Sequence, residues 1–168
     1  TSDVPTHLTR WSDAFADRPE VQDDSALAYV HPLLEMQWRE DVDALLARDP
    51  DPAARQAYRD FHAAGLALTA RAQAAGVRVM AGSDYIAPGL DLHRELALLV
   101  EAGLTPAEAL RAATLTPTRY ADALDDYGSV EAGKVADLVL LDADPLADIG
   151  NTRRIVGVVH QGAYYDAD

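Results

Sequence analysis

The chain has 168 residues and a formal net charge of −14 at pH 7, from 28 acidic and 14 basic side chains. This charge opposes binding to nucleic acid, which relies on clustered Lys and Arg, and the densest basic group is Arg153-Arg154. The absence of cysteine excludes disulfides and Cys-based zinc sites. No apolar run approaches the roughly 18–20 residues of a membrane span. We expect a soluble globular protein, cytoplasmic rather than secreted, that binds neither nucleic acid nor a membrane.

The first third of the chain is predicted to hold one strand end, a long connection and one helix. Residues 2–8 form the strand end, and a polar stretch then runs to about residue 24. Apolar side chains recur at helical spacing over 32–48, and the Asp-Pro pairs at 49–52 end that helix. A connection longer than ~12–15 residues is typical of a lid or binding loop. Its aromatic residues either contact a substrate or anchor the loop: Trp11, Tyr29 and Trp38.

The strongest helical pattern covers about 53–75 and ends at Gly76, a typical residue after a helix. Its apolar stripe consists of Ala57, Phe61, Ala64, Leu68, Ala72 and Ala75. Residues 77–81 then predict a short buried strand that runs into Gly82-Ser83-Asp84. A helix followed by such a strand indicates α/β layers.

The remaining sequence predicts helices and then a β-rich tail. One helix spans about 92–102, with Asp91 as N-cap and Gly103 as its stop, and a capping box at Thr105 opens another through about 115. A shorter helix follows. Three strands are predicted in the tail: 136–142, 154–160 and 163–166. Three strands alone form a marginal unit.

Asp84 is the first candidate for chemistry. It follows a strand directly, so its carboxylate lies at the strand's C-terminal end. In α/β barrels catalytic groups gather at this end, because the loops there surround the pocket. The alternative is an Asx turn or a helix cap. Position alone leaves both interpretations open.

Short motifs surround Asp84 in a fixed order. They are VRVMAGSD at 77–84, Pro88-Gly89, LHREL at 92–96, LVEAGLTPAEAL at 99–110, AAT at 112–114 with Thr116-Pro117, GSVEAGK at 128–134 and ADLV at 136–139. As an ordered series they resemble the amidohydrolase superfamily, in its imidazolonepropionase-like and prolidase-like branch. The resemblance is close over about 54–160 and loose over 1–53.

The resemblance implies an α/β fold, with 1–125 as the C-terminal part of a TIM-like (β/α)8 barrel and 126–168 as part of a small β-sandwich. It also implies metal-dependent hydrolysis of C–N bonds in amides, cyclic amides or dipeptide-like substrates. In that family the aspartate after the last strand binds a divalent metal and takes a proton from the metal-bound water. A bound cation can lower the pKa of water from 15.7 to about 7. By resemblance, Asp84 has both roles.

Three further residues are candidates for substrate binding. His93 lies near the start of the helix after the catalytic loop, and either contacts substrate, faces solvent or caps that helix. Tyr85 flanks Asp84 and either lines the pocket or is structural. His7 would end the penultimate strand and either faces the active site or packs in the interior. The other histidines are expected on a loop, on a helix surface and in a strand: His31, His62 and His160.

The family's other metal ligands have no counterpart. The sequence has no His-x-His pair, and its five histidines lie at least 24 residues apart. One or two divalent ions, zinc above all, would need ligands from outside this chain, because catalytic sites typically use at least three. We therefore expect an N-terminal remainder of the barrel as partner, an inactive isolated chain, and association through the open side of the last strand.

Two alternatives stay open at this point. The chain could be a non-catalytic piece that self-associates as a half-barrel scaffold. Thr1 could instead act as an N-terminal nucleophile with its own amine as base, which its position alone supports.

Overall fold

The computed structural model describes residues 1–87 and 89–167 of a mixed α/β chain. Pro88 of the Pro88-Gly89 motif and Asp168 lie outside the described residues. The helices are α1 (His7–Phe15), α2 (Pro19–Gln22), α3 (Pro32–Arg48), α4 (Pro52–Ala74), α5 (Leu90–Glu101), α6 (Pro106–Ala113) and α7 (Leu115–Tyr120). Short 3-10 helices span Ser25–Tyr29 and Ile149–Arg153. None of the helices in the described ranges has both the length and the apolar character needed to cross a bilayer.

The five strands form two separate sheets. They are β1 (Ser2–Asp3), β2 (Arg78–Val79), β3 (Leu138–Leu141), β4 (Ile155–His160) and β5 (Ala163–Asp166). The first two strands pair in parallel, with Asp3 opposite Val79, and α1 to α4 form the crossover between them. The last three form an antiparallel sheet with a bulge between Leu140 and Leu141. Because β1 and β2 are parallel, the segments that follow both strands leave the same edge of their sheet.

Several predicted elements are confirmed. The helix over 32–48 has the expected bounds, with His31 as its N-cap. Thr105 and Glu108 form the expected capping box. Gly76 follows α4 with a φ of 83°, which glycine adopts without strain. The division at 125/126 stays a prediction, although the antiparallel sheet does begin beyond it.

The polar stretch before residue 24 was expected to be a connection, and that prediction is wrong. It contains α1 and α2, and His7 begins a helix instead of ending a strand. The sequence does not reveal α1, because its buried face carries small and polar side chains and only one large aliphatic side chain. The buried residues are His7, Leu8, Ser12 and Ala14.

Two other boundaries differ from expectation. The strand predicted over 77–81 is reduced to β2. Asp91 lies in the first turn of α5 rather than at its N-cap, which is Gly89 with a φ of 90°. The Asp91 carboxylate instead accepts a hydrogen bond of 2.5 Å from the N–H of Ala87, so it holds the loop before the helix.

The apolar stripe of α4 faces outward. Phe61 is 60% exposed and Leu68 is 65% exposed. The buried face of α4 instead carries Arg55, His62, Leu66 and Thr69. His62, expected on the surface, is therefore buried, and its ring stacks edge-on against those of His7 and Phe15. An apolar stripe normally marks the core-facing side of a helix, whereas on α4 it forms an exposed apolar surface.

Two hydrophobic clusters form the interior. The first joins α4, α5, α6, β2 and the second 3-10 helix through Leu66, Val79, Leu96, Leu99, Leu104, Ala109 and Ile149. The second joins α1, α2, α3 and the loop after β2 through Ala16, Val21, Leu27, Trp38, Val42 and Ala87. Because Leu90 packs against the second cluster and Leu96 lies in the first, α5 connects the two.

Glu95 of α5 caps the N-terminus of α1. Its side chain is fully buried, and its two carboxylate oxygens accept hydrogen bonds from the N–H groups of His7 (3.0 Å) and Leu8 (2.8 Å). Thr6, the N-cap residue, has a left-handed φ of 46° and its own side chain makes no capping bond. Glu95 therefore satisfies N–H groups that a helix leaves unpaired, and its ionised form also suits the positive end of the helix dipole.

The pKa of this carboxyl predicts an unusual pH dependence of stability. Burial raises the pKa of Glu95 from 4.5 to about 7. The native protein then holds a proton that the unfolded chain has lost, so rising pH favours unfolding between these two values. The pKa of His7 is lowered from 6.5 to about 4, which gives the opposite slope over its own range. The two contributions largely offset each other in the wild type.

We expect Glu95→Gln to separate the contribution of Glu95 from that of His7. The wild-type free energy of unfolding, relative to that of Glu95→Gln, should fall by about 3 kcal/mol between pH 4.5 and 7. Urea titrations across this range measure the difference. Glu40→Gln, an exposed position on α3, is the control and should leave the profile unchanged. A constant difference between wild type and Glu95→Gln would contradict the raised pKa.

Candidate active site

Asp84 lies beyond β2, at the edge from which the chain also leaves β1. Its side chain is exposed and its backbone is left-handed, with a φ of 45°. Non-glycine residues adopt this conformation rarely, and aspartate tolerates it better than most. The glycine before it has a steric reason: a Cβ on Gly82 would lie 2.7 Å from Cγ1 of Val4 in the segment after β1.

Side chains of α1 and α3 hold the residues on both sides of Asp84. The Thr9 hydroxyl lies 3.4 Å from the carbonyl oxygen of Ser83 and 3.3 Å from that of Asp84, and donates to this pair. The Tyr85 hydroxyl lies 2.5 Å from Oγ of Ser12 and accepts a 2.7 Å bond from Nε1 of Trp38. The turn carrying Asp84 is therefore bonded to two helices of the crossover.

A cleft of about 610 Å³ opens beside Asp84. Its lining comes from α1, α3, α4 and the loop after β2: Ser12, Asp13, Ala16, Trp38, Asp41, Val42, Ala44, Leu45, Arg48, Tyr58, Asp84, Tyr85 and Ile86. A second cavity, beside Trp11 and Leu27, has only about 20 Å³, room for about one water molecule, and does not touch Asp84. The larger cleft is therefore the candidate ligand site.

The charges of the cleft disfavour an anionic ligand. Three carboxylates line it, on Asp13, Asp41 and Asp84, against one guanidinium on Arg48. That guanidinium already bonds the Asp49 carboxylate at 2.9 Å and the Tyr58 hydroxyl at 2.8 Å. Burial raises the pKa of Asp13, as expected for a carboxyl partly removed from water.

His93 is half-buried and connects α5 with the second 3-10 helix. Its Nδ1 lies 3.0 Å from the Thr152 hydroxyl, which donates to the carbonyl oxygen of Ile149 at 2.8 Å. Burial, and then the charge of Arg153, lower the pKa of His93. The cleft lining does not include His93, and its contact with substrate stays a prediction.

His7 packs between α1 and α4. It is 2% exposed, and its Nε2 lies 3.0 Å from the Thr69 hydroxyl. Burial, and then the neighbouring His62, lower the pKa of His7 to about 4, so the ring is neutral near pH 7. His7 also lies outside the cleft lining, and a role in substrate binding stays a prediction. Of the three candidates beyond Asp84, only Tyr85 shares the cleft with it.

The described residues alone do not form a metal site. Within residues 1–87 and 89–167, no three His, Asp, Glu or Cys side chains converge on a position that could hold a metal ion. Asp84 therefore offers a single carboxylate, whereas catalytic zinc sites typically use three protein ligands.

The residues that support Asp84 carry little signal in the sequence. Thr9 and Ser12 lie one helical turn apart on α1, a spacing that signals a shared face only once the segment is recognised as a helix. Glu95 gave no local signal at all, because its partners are 88 and 87 residues away in the chain.

Comparison with known proteins decides the family. The model of the Amidohydrolase family matches residues 61–163, more than half of the chain. This chain belongs to the amidohydrolase family. The match confirms the resemblance seen in the motifs around Asp84.

This chain is similar to several known proteins over part of their length. The imidazolonepropionase of Fusobacterium nucleatum is 31% identical over 78 residues, which are 44% of this chain and 19% of that protein. A putative prolidase from Bifidobacterium longum is 30% identical with a TM-score of 0.59, over 68% of this chain and 29% of that one. A. niger ochratoxinase is 25% identical with a TM-score of 0.60, over 75% and 30%. The chain spans less than a third of each relative.

The backbone at Asp84 predicts an unusual order of stability among substitutions. Asp84→Gly should keep or raise the free energy of unfolding, Asp84→Asn should be nearly neutral, and Asp84→Ala should lower it by about 1 kcal/mol, because alanine is strained at positive φ. Chemical denaturation measures all three variants.

The matched control is Asp41, an exposed cleft residue inside α3. There the order should reverse, with Asp41→Ala more stable than Asp41→Gly by about 1 kcal/mol. The same order at both positions would argue against the left-handed backbone of Asp84.

Proposed function

We propose that this chain supplies the last-strand aspartate and one substrate-binding wall of a metal-dependent hydrolase of C–N bonds. The substrates would be amides, cyclic amides or dipeptide-like compounds. The observation that carries the proposal is the exposed Asp84, held at the carboxyl edge of a parallel strand pair in the wall of the 610 Å³ cleft. Membership of the amidohydrolase family, and relatives named imidazolonepropionase and prolidase, support this class of reaction.

Within the proposal, Asp84 is the catalytic base. Its carboxylate is open to the cleft and can accept a proton from the attacking water. The Tyr85 ring lines the same cleft as a substrate contact, while the Tyr85 hydroxyl is occupied by Ser12 and Trp38. The placements of His93 and His7 favour supporting roles, through Thr152 and Thr69 respectively.

A divalent metal, zinc as one or two ions, would supply Lewis acidity and an activated water when bound. This chain would contribute Asp84 as one ligand, and the others would come from outside it. The partner that we propose is the N-terminal remainder of a barrel, as a second chain or a further segment. The outward apolar stripe of α4, with Phe61 and Leu68 exposed, supports a missing packing partner.

Complementation tests the proposed function. An N-terminal segment of a family relative that carries the His-x-His strand, added to this chain, should produce amide hydrolysis that a chelator removes. Asp84→Asn should lower kcat by about 10²–10⁴-fold, the usual contribution of a general base. Glu40→Gln, at an exposed position of α3 outside the cleft lining, is the control and should retain activity. Full activity with Asp84→Asn would remove Asp84 from the mechanism.

Metal content gives a second, independent prediction. After buffer exchange, elemental analysis should find no stoichiometric divalent metal on the chain alone, because the described residues provide too few ligands. The complemented protein should hold one or two ions. Tight, stoichiometric metal on the chain alone would show that our account of the ligands is wrong.

The same outward stripe favours a second candidate, a non-catalytic scaffold that self-associates. That role requires a defined homo-oligomer without metal, weakened by Phe61→Glu or Leu68→Glu. Light scattering of the chain with and without the N-terminal segment separates the two functions. For the hydrolase, a complex with the added segment should replace the homo-oligomer. For the scaffold, the homo-oligomer should persist.

A further inference from the structure

We infer that α1 is the positioning element for Asp84: the Thr9 hydroxyl sets the backbone of Asp84, and Ser12 with Trp38 anchors the next residue through the Tyr85 hydroxyl. Thr9 and Ser12 are positioning residues, because their hydroxyls bond the main chain around Asp84 and the Tyr85 hydroxyl. The inference rests on the proposed role of Asp84 as catalytic base.

Two peptide planes meet at the Cα of Asp84. The carbonyl of Ser83 belongs to the plane before its Cα, and the carbonyl of Asp84 to the plane after it. The Thr9 hydroxyl contacts both oxygens, at 3.4 and 3.3 Å. One side chain therefore restrains both φ and ψ of Asp84, and with them the direction in which its carboxylate leaves the backbone.

The backbone conformation of Asp84 needs such a restraint. Asp84 has a φ of 45°, a conformation that costs L-residues about 1–2 kcal/mol and persists only where the surroundings impose it. Without external bonds the turn would relax toward negative φ and swing the carboxylate away from the cleft.

Tyr85 anchors the turn on the other side of Asp84. Its hydroxyl bonds Ser12 at 2.5 Å and Trp38 at 2.7 Å, and its ring stacks edge-on against Trp38 with centroids 6.4 Å apart. Burial raises the pKa of Tyr85, so the hydroxyl keeps its proton near pH 7. The turn is thus fixed on both sides of Asp84.

Helix α1 is itself held in place by bonds from other helices. Glu95 bonds the first two N–H groups of the helix, and the ring of His7 bonds Thr69 on α4. Farther along α1, the Arg55 guanidinium donates to the carbonyl oxygen of Asp13. With bonds from α4 and α5, α1 is a fixed support from which Thr9 and Ser12 can act.

The test compares Thr9→Val, which removes the hydroxyl at nearly constant shape, with Thr9→Ser, which keeps it. Backbone NMR chemical shifts of the full chain report whether residue 84 remains left-handed. Thr9→Val should move the shifts of residues 83–85 away from the positive-φ signature, and Thr9→Ser should restore it. Thr105→Val, which removes the capping hydroxyl of α6, is the matched control and should leave these shifts unchanged.

Unchanged shifts at residue 84 in a folded Thr9→Val protein would overturn the inference. If Thr9→Val does not fold, Tyr85→Phe takes its place: it removes the bonds to Ser12 and Trp38, and must move the same shifts for the inference to stand. In the complemented enzyme, Thr9→Val should lower kcat by about tenfold with KM unchanged, because the base is misplaced while the cleft is intact.

The two proposals fail in different ways. Loss of the positive-φ signature in Thr9→Val requires no enzymatic activity, so it supports α1 as the positioning element even if complementation gives none. Activity that survives Asp84→Asn would contradict the proposed function without changing the shifts.

Discussion

The arrangement of this chain depends on one buried carboxylate. Glu95 extends from α5 to the N-terminus of α1 and bonds two N–H groups that no local side chain satisfies. A buried donor without a partner costs roughly 1–3 kcal/mol, so these bonds select one placement of α1 against the rest of the chain. The placement in turn brings Thr9 and Ser12 to the loop after β2.

Two properties of Asp84 bear on its proposed role. Its backbone is held in an unfavourable conformation, while its carboxylate stays exposed and open to a cleft. Bonds to the neighbouring main chain and to the Tyr85 hydroxyl restrain the turn without occupying the carboxylate. Imposed backbone strain of this kind clusters at functional sites, which supports the role proposed for Asp84.

The packing of α4 and the single carboxylate of Asp84 both bear on the proposed N-terminal partner. The helix turns its most apolar stripe outward and places Arg55, His62 and Thr69 inward, against α1. The described residues supply one carboxylate where a catalytic metal needs several ligands. The chain also spans less than a third of each amidohydrolase compared with it. Each observation supports the proposed partner, which would complete both the surface and the metal site.

The sequence by itself determined the local elements and the family. Helix α3, the capping box at Thr105 and the family motifs around Asp84 depend on neighbours within a few residues, so their signals can be read along the chain. The tertiary structure alone decided what supports Asp84. Helix α1 has a polar buried face that hides its periodicity, and its cap, Glu95, is 88 residues away from His7. Contacts of that range arise only when the chain folds, because no local pattern encodes which distant carboxylate meets which helix end.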